Sequence, residues 1–284
     1  MLRQRVITAA VLLGLLAPAL WSRVSWPFAL VTLLLLAAAG WEWGRLNGLS
    51  GPSSMAAAGG LAGALALAWW QQPQLAQGGA FWLLATLVWC VGLSWALGRG
   101  VSDWSRQPRW ARLLGGWMAL ALAWWALATL HQLGVAVLLS TLLLVWVADV
   151  AAYFGGRAWG RRKLAAEISP GKSWEGAWCG AAAVLALALA WVAAARLWGG
   201  WWQDSLFARL WAVAPGWAVA WWMLLTGLSV AGDLFESLVK RSAGVKDSSR
   251  LLPGHGGVLD RIDALLPVLP AALAALSLSP GGGR

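Results

Sequence analysis

Residues 133–153 read LGVAVLLSTLLLVWVADVAAY, a nearly unbroken apolar run whose one charge, Asp149, stands about one helical turn from its end. About 20 apolar residues suffice for a helix to cross the roughly 30 Å hydrocarbon core of a bilayer. Backbone groups in lipid must be bonded within the segment, so a helix is expected here; membrane strands would show short alternating stretches. Eight further apolar runs lie at 6–21, 25–41, 55–70, 80–97, 113–130, 177–197, 215–231 and 264–278. Together they predict an all-α, polytopic integral membrane protein with about nine transmembrane helices.

Composition agrees. The 284 residues are 60% hydrophobic and 11% charged, against roughly 25% charged in soluble domains. The net charge of +10 fits cytoplasmic loops rich in Lys and Arg beside anionic membrane lipids. No basic soluble module is present to hold nucleic acid, so that partner class is excluded. Cys90 and Cys179 lie in apolar stretches and read as small buried hydrophobes. Tryptophan pairs such as Trp69-Trp70 and Trp201-Trp202 fall near run ends and read as interfacial anchors. Arg3 and Arg5 before an apolar run, with Ala17-Pro18-Ala19 after it, imitate a cleavable leader. A second apolar run follows almost at once, so an uncleaved first span is expected.

With the N-terminus in the cytoplasm, seventeen of the twenty-one Lys and Arg fall on the cytoplasmic side, and only Arg23, Arg196, Arg209 and Arg284 do not. That segregation fixes the expected orientation. Ten of the eleven acidic residues lie near the same face, Asp204 being the exception. Function is therefore expected in two cytoplasmic loops, 154–176 and 232–263, which hold most of the charge together with Gly and Pro that permit special backbone shapes. Residues 280–284 read as a frayed tail.

A carboxylate at the depth of Asp149 is costly and usually faces a polar cavity; pairing with a nearby Arg is the other reading. In Gly232-Asp233-Leu234-Phe235-Glu236-Ser237-Leu238-Val239-Lys240-Arg241, helical spacing puts Asp233, Glu236, Ser237 and Lys240 on one face. Glu236 with Lys240 alone would be an ordinary surface pair, but Asp233 ends a span and gains nothing from lipid. Farther on, Lys246-Asp247 precedes Leu252-Pro253-Gly254-His255-Gly256-Gly257-Val258-Leu259-Asp260-Arg261-Ile262-Asp263. Gly256-Gly257 permits a sharp turn or close approach to a ligand. Asp260 and Asp263, one turn apart, suit a hard cation such as Mg2+ or cap a helix N-terminus. Between spans six and seven, Ile168-Ser169-Pro170-Gly171-Lys172-Ser173-Trp174-Glu175-Gly176 contains a Gly-Lys-Ser. A Walker A loop would need glycine at Ala166 and a preceding strand, neither of which is expected. The segment can still bind phosphate where it opens a helix. Carboxylates for a metal, cations for phosphates and flexible turns at a lipid boundary favour phosphoryl or nucleotidyl transfer onto a lipid headgroup. The only other histidine, His131, lies on the opposite face, so a hydrolytic triad lacks support.

The run 237–263 resembles the signature of phosphatidate cytidylyltransferases: S-x-hydrophobic-K-R, four residues, K-D, a small residue, then L-P-x-H-G-G-hydrophobic-x-D-R-hydrophobic-D. Ser237, Lys240, Arg241, Lys246, Asp247, Pro253, His255, Gly256, Gly257, Asp260, Arg261 and Asp263 meet its fixed positions. Residues 149–157 and 168–176 resemble further family segments. Ser173 stands where Thr is frequent, and Ser249-Arg250 where Gly-Asn is frequent. The resemblance implies a single transmembrane catalytic domain over 1–284, with N-terminal spans at about 1–130 and catalytic spans and loops at about 131–284. It implies CTP and phosphatidic acid as substrates, CDP-diacylglycerol and pyrophosphate as products, and Mg2+ as cofactor, with a second cation allowed for. Asp233, Asp260 and Asp263 are then expected at the metal. Lys240, Arg241, Lys246 and Arg261 are expected on the phosphates, with Asp247 and His255 in the same catalytic set and His255 orienting a phosphate or shaping its turn. Asp149, Ser169, Gly171, Lys172, Ser173, Gly256 and Gly257 are expected to bind nucleotide or headgroup. An inner-membrane location and a homodimer are further implications, the latter shown by no residue here.

Other readings stay open. A CDP-alcohol phosphotransferase would carry D-G-x-x-A-R, which is absent. A cytidylyltransferase or kinase acting on an isoprenoid lipid is the enzymatic alternative. A transporter would place charges and broken helices near the bilayer midplane, whereas these charges gather at one face.

Overall fold

Long apolar runs without internal partners fold as helices. The structure, a computed structural model describing residues 2–71 and 78–278, is built almost wholly from them. In chain order they are α1 (Leu2–Leu20), α2 (Trp26–Leu46), α3 (Gly51–Gln71), α4 (Gly79–Arg99), α5 (Val101–Arg106), α6 (Arg109–Leu133) and α7 (Val135–Trp159). A hairpin of β1 (Lys163–Ala165) and β2 (Ser169–Ser173) follows, then α8 (Trp174–Trp198), α9 (Leu206–Val213), α10 (Pro215–Ser242), α11 (Leu259–Ile262) and α12 (Leu265–Ser277). The tail at 280–284 lies outside the described residues.

Among the described residues six helices are long and apolar enough to cross a membrane: α2, α4, α6, α7, α8 and α10. Their outward faces are apolar, as on α4, where Leu84, Leu87, Val88 and Val91 are exposed. A patch of that kind needs a non-aqueous neighbour, and the chain is a multi-pass membrane protein. The three remaining expected spans differ. The apolar part of α1 is short, and α3 dilutes its apolar residues with Gly and Ser. The run at 264–278 becomes α12, only 13 residues and so about 20 Å long. All of Leu266–Ala275 is buried, because α12 packs among α4, α6 and α10. An all-round apolar helix belongs in such a core.

Two features position the charged loops. First, α7 and α8 cross closely where Gly156 meets Gly176. A Cβ on Gly176 would stand 2.7 Å from the Ala152 carbonyl oxygen and 3.2 Å from Gly156 Cα, and one on Gly180 would stand 2.8 Å from the Ala148 oxygen. Small residues let membrane helices approach to this distance. Second, α10 runs past the expected end of the span at 231 to Ser242, carrying the charged face of 233–241 as a continuous extension of the same helix.

The loop between α7 and α8 also departs from expectation. A strand, β1, does precede Ala166, pairing antiparallel with β2 through Lys163 opposite Ser173 and Ala165 opposite Ser169. Gly171-Lys172-Ser173 lies inside β2, so no phosphate-cradling loop of the Walker type forms. Ser173 instead caps α8, its hydroxyl accepting the Gly176 N–H at 3.2 Å.

Candidate active site

Helices α7 and α10, the hairpin and the α10–α12 connection enclose a cavity of about 820 Å³. Its apolar side is formed by residues such as Val145, Trp146, Val230 and Leu265. Its polar side gathers residues far apart in sequence. From α7 come Asp149 and Arg157; from β2 come Ser169, Gly171, Lys172 and Ser173; from α10 come Asp233 and Lys240; from the connection come Asp247, Asp260, Arg261 and Asp263.

The charges are paired across elements. Lys172 Nζ lies 2.6 Å from Asp233 Oδ2. Lys240 Nζ lies 2.6 Å from Asp260 Oδ1 and forms a second ion pair with Glu236. Glu236, which looked like half of a surface pair, is only 1% exposed. Along α10, Ser237 donates its hydroxyl to Asp233 Oδ1 at 3.3 Å.

Asp260 and Asp263, adjacent in the expected metal set, do different things. Asp260 Oδ2 accepts the N–H of Ser248 at 3.0 Å and of Gly257 at 2.8 Å, while Oδ1 faces Lys240. Burial works against the Asp260 carboxylate, but hydrogen bonding with Glu236, Lys240 and the Gly257 N–H outweighs it and holds the group at about 2. Asp263 is turned toward the other side. Burial, and then the charge of Asp233, push its carboxyl above the usual carboxylate range, opposed by the Ala264 N–H, Lys240 and Lys172. Among the described residues no three His, Cys, Asp or Glu side chains converge enough to hold a metal ion on their own. Magnesium, however, commonly takes one or two carboxylates and fills its shell with water and phosphate oxygens. Asp233 and Asp263, two hard-oxygen donors that repel one another, fit that demand. Asp260 is tied more firmly, its side chain 6% exposed and its oxygens held by Lys240 and by the N–H groups of Ser248 and Gly257, whereas Asp233 is 31% exposed and meets only the side chains of Lys172 and Ser237.

Five other expected site residues do not line the cavity. Arg241 staples two loops, its guanidinium donating to the Ile168 carbonyl at 3.4 Å and the Val245 carbonyl at 3.3 Å. Gly256 and Gly257 pack against carboxylates, not a ligand space. Gly256 has φ +82°, and a Cβ there would come 2.7 Å from Asp260 Oδ2. His255 shapes the same turn: its N–H donates to the Leu252 carbonyl at 2.8 Å, and its own carbonyl accepts Arg261 Nε at 3.0 Å. Lys246 is exposed outside the lining.

The structure adds residues that the sequence did not single out for the site. Arg157 lines the cavity, and Ser248 touches Asp260. Glu42 on α2 is wholly buried beside the 248–259 loop. A lone carboxylate following an apolar run was the available signal for Glu42.

The sequence pattern of the cytidylyltransferase family matches residues 3–279. A phosphatidate cytidylyltransferase of Pseudomonas aeruginosa is 41% identical over 285 residues, covering 100% of this chain and 99% of that protein. One from Haemophilus influenzae is 33% identical over 294 residues, covering 95% and 96%. One from Brucella suis is 43% identical over 185 residues, which span 65% of this chain and 58% of that protein.

Proposed function

The chain belongs to the cytidylyltransferase family, and from that premise we propose that it is a CTP:phosphatidate cytidylyltransferase acting as one catalytic domain. A phosphate oxygen of phosphatidic acid attacks the α-phosphorus of CTP. The new P–O bond gives CDP-diacylglycerol, and the bond from the α-phosphorus to the bridging oxygen breaks to release pyrophosphate. The observation that carries this reading is the cavity itself. One side is apolar and suited to acyl chains, while the other sets Arg157, Lys172, Lys240 and Arg261 among five aspartates.

Each group has a task consistent with its place. A phosphate monoester has a second pKa of about 6, so near pH 7 the nucleophile is already mostly dianionic and needs no general base. The work is positioning and charge neutralisation. Arg157 and Arg261 face the phosphates from opposite elements, and Lys172 joins them from β2. Lys240 holds Asp260 in place. Ser169 and Ser173 flank Lys172 on the strand that borders the nucleotide. Asp233 and Asp263 would hold Mg2+, which when bound supplies positive charge to the triphosphate. Lys246 stands outside the lining as an exposed cation for approaching anions. The protein sits in the inner membrane with its N-terminus and this cavity toward the cytoplasm, where CTP is made.

The test is conversion of labelled phosphatidic acid by the purified protein with CTP. CDP-diacylglycerol and pyrophosphate should form in equal amounts, stop with a chelator and resume with Mg2+. No CTP-dependent product from phosphatidic acid would overturn the assignment.

A further inference from the structure

We infer that Glu42, on α2, is the positioning residue that fixes the loop bearing Asp260, Arg261 and Asp263. It is 0% exposed. A charge removed from water must be met by donors or it is severely destabilising. The 248–259 loop supplies them. Glu42 Oε1 accepts the Ser249 hydroxyl at 2.5 Å and the Val258 N–H at 3.0 Å, and Oε2 accepts the Leu259 N–H at 2.7 Å. Ser248 Oγ stands 3.2 Å from Glu42 Oε2 and 2.9 Å from Asp260 Oδ2. Its single proton serves one carboxylate at a time, so Glu42 and Asp260 grip the same serine from two sides. The approach is close enough that a Cβ on Gly257 would run into both Glu42 Oε1 and Ser248 Oγ.

The support behind Glu42 is rigid. Its neighbour Trp43 is 2% exposed, donates its indole N–H to the Arg112 carbonyl at 3.1 Å, and packs its ring against Trp104 and Phe235. The end of α2 is thus tied to α6 and α10 before it reaches the loop. Locked supporting groups of this kind set the precision of a site. Its hydrogen-bond partners Ser248, Ser249, Val258 and Leu259 stand outside the cavity lining, so its effect on the reaction is indirect.

The kinetic arm of the test rests on the function proposed above; the structural arm does not. Glu42→Gln keeps the shape but sets an NH2 group against donors. Hydrogen exchange on the full-length protein in nanodiscs should then speed up at least about tenfold in peptides covering 246–261, with α7 and α8 unchanged. The kcat for CMP transfer should fall at least about tenfold, with the KM for phosphatidic acid within about twofold. Ser249→Ala should cost less in the Glu42→Gln background than alone, because the two share one interaction. Exchange that stays at the wild-type level, or rises evenly over every helix, would overturn the inference, as would strict additivity. Should Glu42→Gln fail to fold, the Ser248→Ala/Ser249→Ala protein must show the same local loosening or the inference falls. Should the wild type not convert phosphatidic acid, the function falls and the exchange arm still judges Glu42.

Discussion

Lys172 and Asp233 close the cavity between β2 and α10, with Nζ 2.6 Å from Oδ2. Their side chains are 26% and 31% exposed, so the pair contributes at most about 1 kcal/mol of stability. Its value lies in holding a cation where phosphate is proposed to arrive. Lys172→Met should therefore lower kcat/KM by about a hundredfold or more while moving the melting temperature little. Steady-state kinetics beside thermal unfolding in detergent checks this. A large loss of stability with modest loss of rate would reverse the assignment.

Asp260 and Asp263 should separate in their effects. Asp260→Asn breaks a pair whose side chains are 12% and 6% exposed, and should destabilise by about 3 kcal/mol. Asp263→Asn keeps the acceptor for the Ala264 N–H and removes repulsion from Asp233. Without Mg2+, its melting temperature should match or exceed the wild type, while activity and its Mg2+ response vanish. Asp233→Asn should lose activity likewise. Equal destabilisation by Asp260→Asn and Asp263→Asn would contradict the division of roles.

Two glycines give a contrast in packing. Gly176→Ala forces α7 and α8 apart and should cost about 1–3 kcal/mol. Nothing lies within 4 Å of the Cβ position of Gly171, which borders the cavity. Gly171→Ala should leave thermal stability unchanged and raise the KM for CTP. If Gly171→Ala melts early and binds CTP normally, the hairpin is a structural element only.

His255 should not be a general base. The acidic limb of the kcat/KM profile should follow the lipid phosphate, near its second pKa of about 6. In His255→Gln the rate should drop, because the Leu252–Arg261 turn is disturbed, but the limb should persist. Its disappearance with the same lipid would identify His255 as the titrating group.

Orientation is checked by cysteine labelling in a background lacking Cys90 and Cys179. Cysteines near Lys172 and Lys246 should resist impermeant thiol reagents in intact cells, and one near Asp204 should react. Labelling of both loops from outside would place the cavity on the wrong side for cytosolic CTP.

What the sequence made legible follows from distance along the chain. Helical spacing alone put Asp233, Ser237 and Lys240 on one face, and the structure extends α10 through all three. The signature brought Asp260 and Asp263 to notice, but not which way each carboxylate turns, since Lys240, Ser248 and Asp233 decide that in three dimensions. Apolarity read 264–278 as a span, whereas α12 has 13 residues with Leu266–Ala275 buried in protein; a run buried in protein and one buried in lipid have the same composition. The β1–β2 hairpin was missed because strands of three and five residues leave almost no periodic trace. For Glu42 the apolar run before it was the one sequence signal, and its role stayed hidden because its loop partners lie 206–217 positions later.

That separation governs how the protein is assembled. During synthesis, α2 emerges with a carboxylate whose donors do not yet exist, so the end that carries Glu42 must stay wetted until residue 259 has left the ribosome. Only then can the last loop dock and the first third of the chain become part of the working site. A fragment beginning near residue 131 would contain every signature residue and still lack the group that sets their loop. The expected boundary near residue 130 is therefore crossed by the hydrogen bonds that Ser248, Ser249, Val258 and Leu259 donate to Glu42.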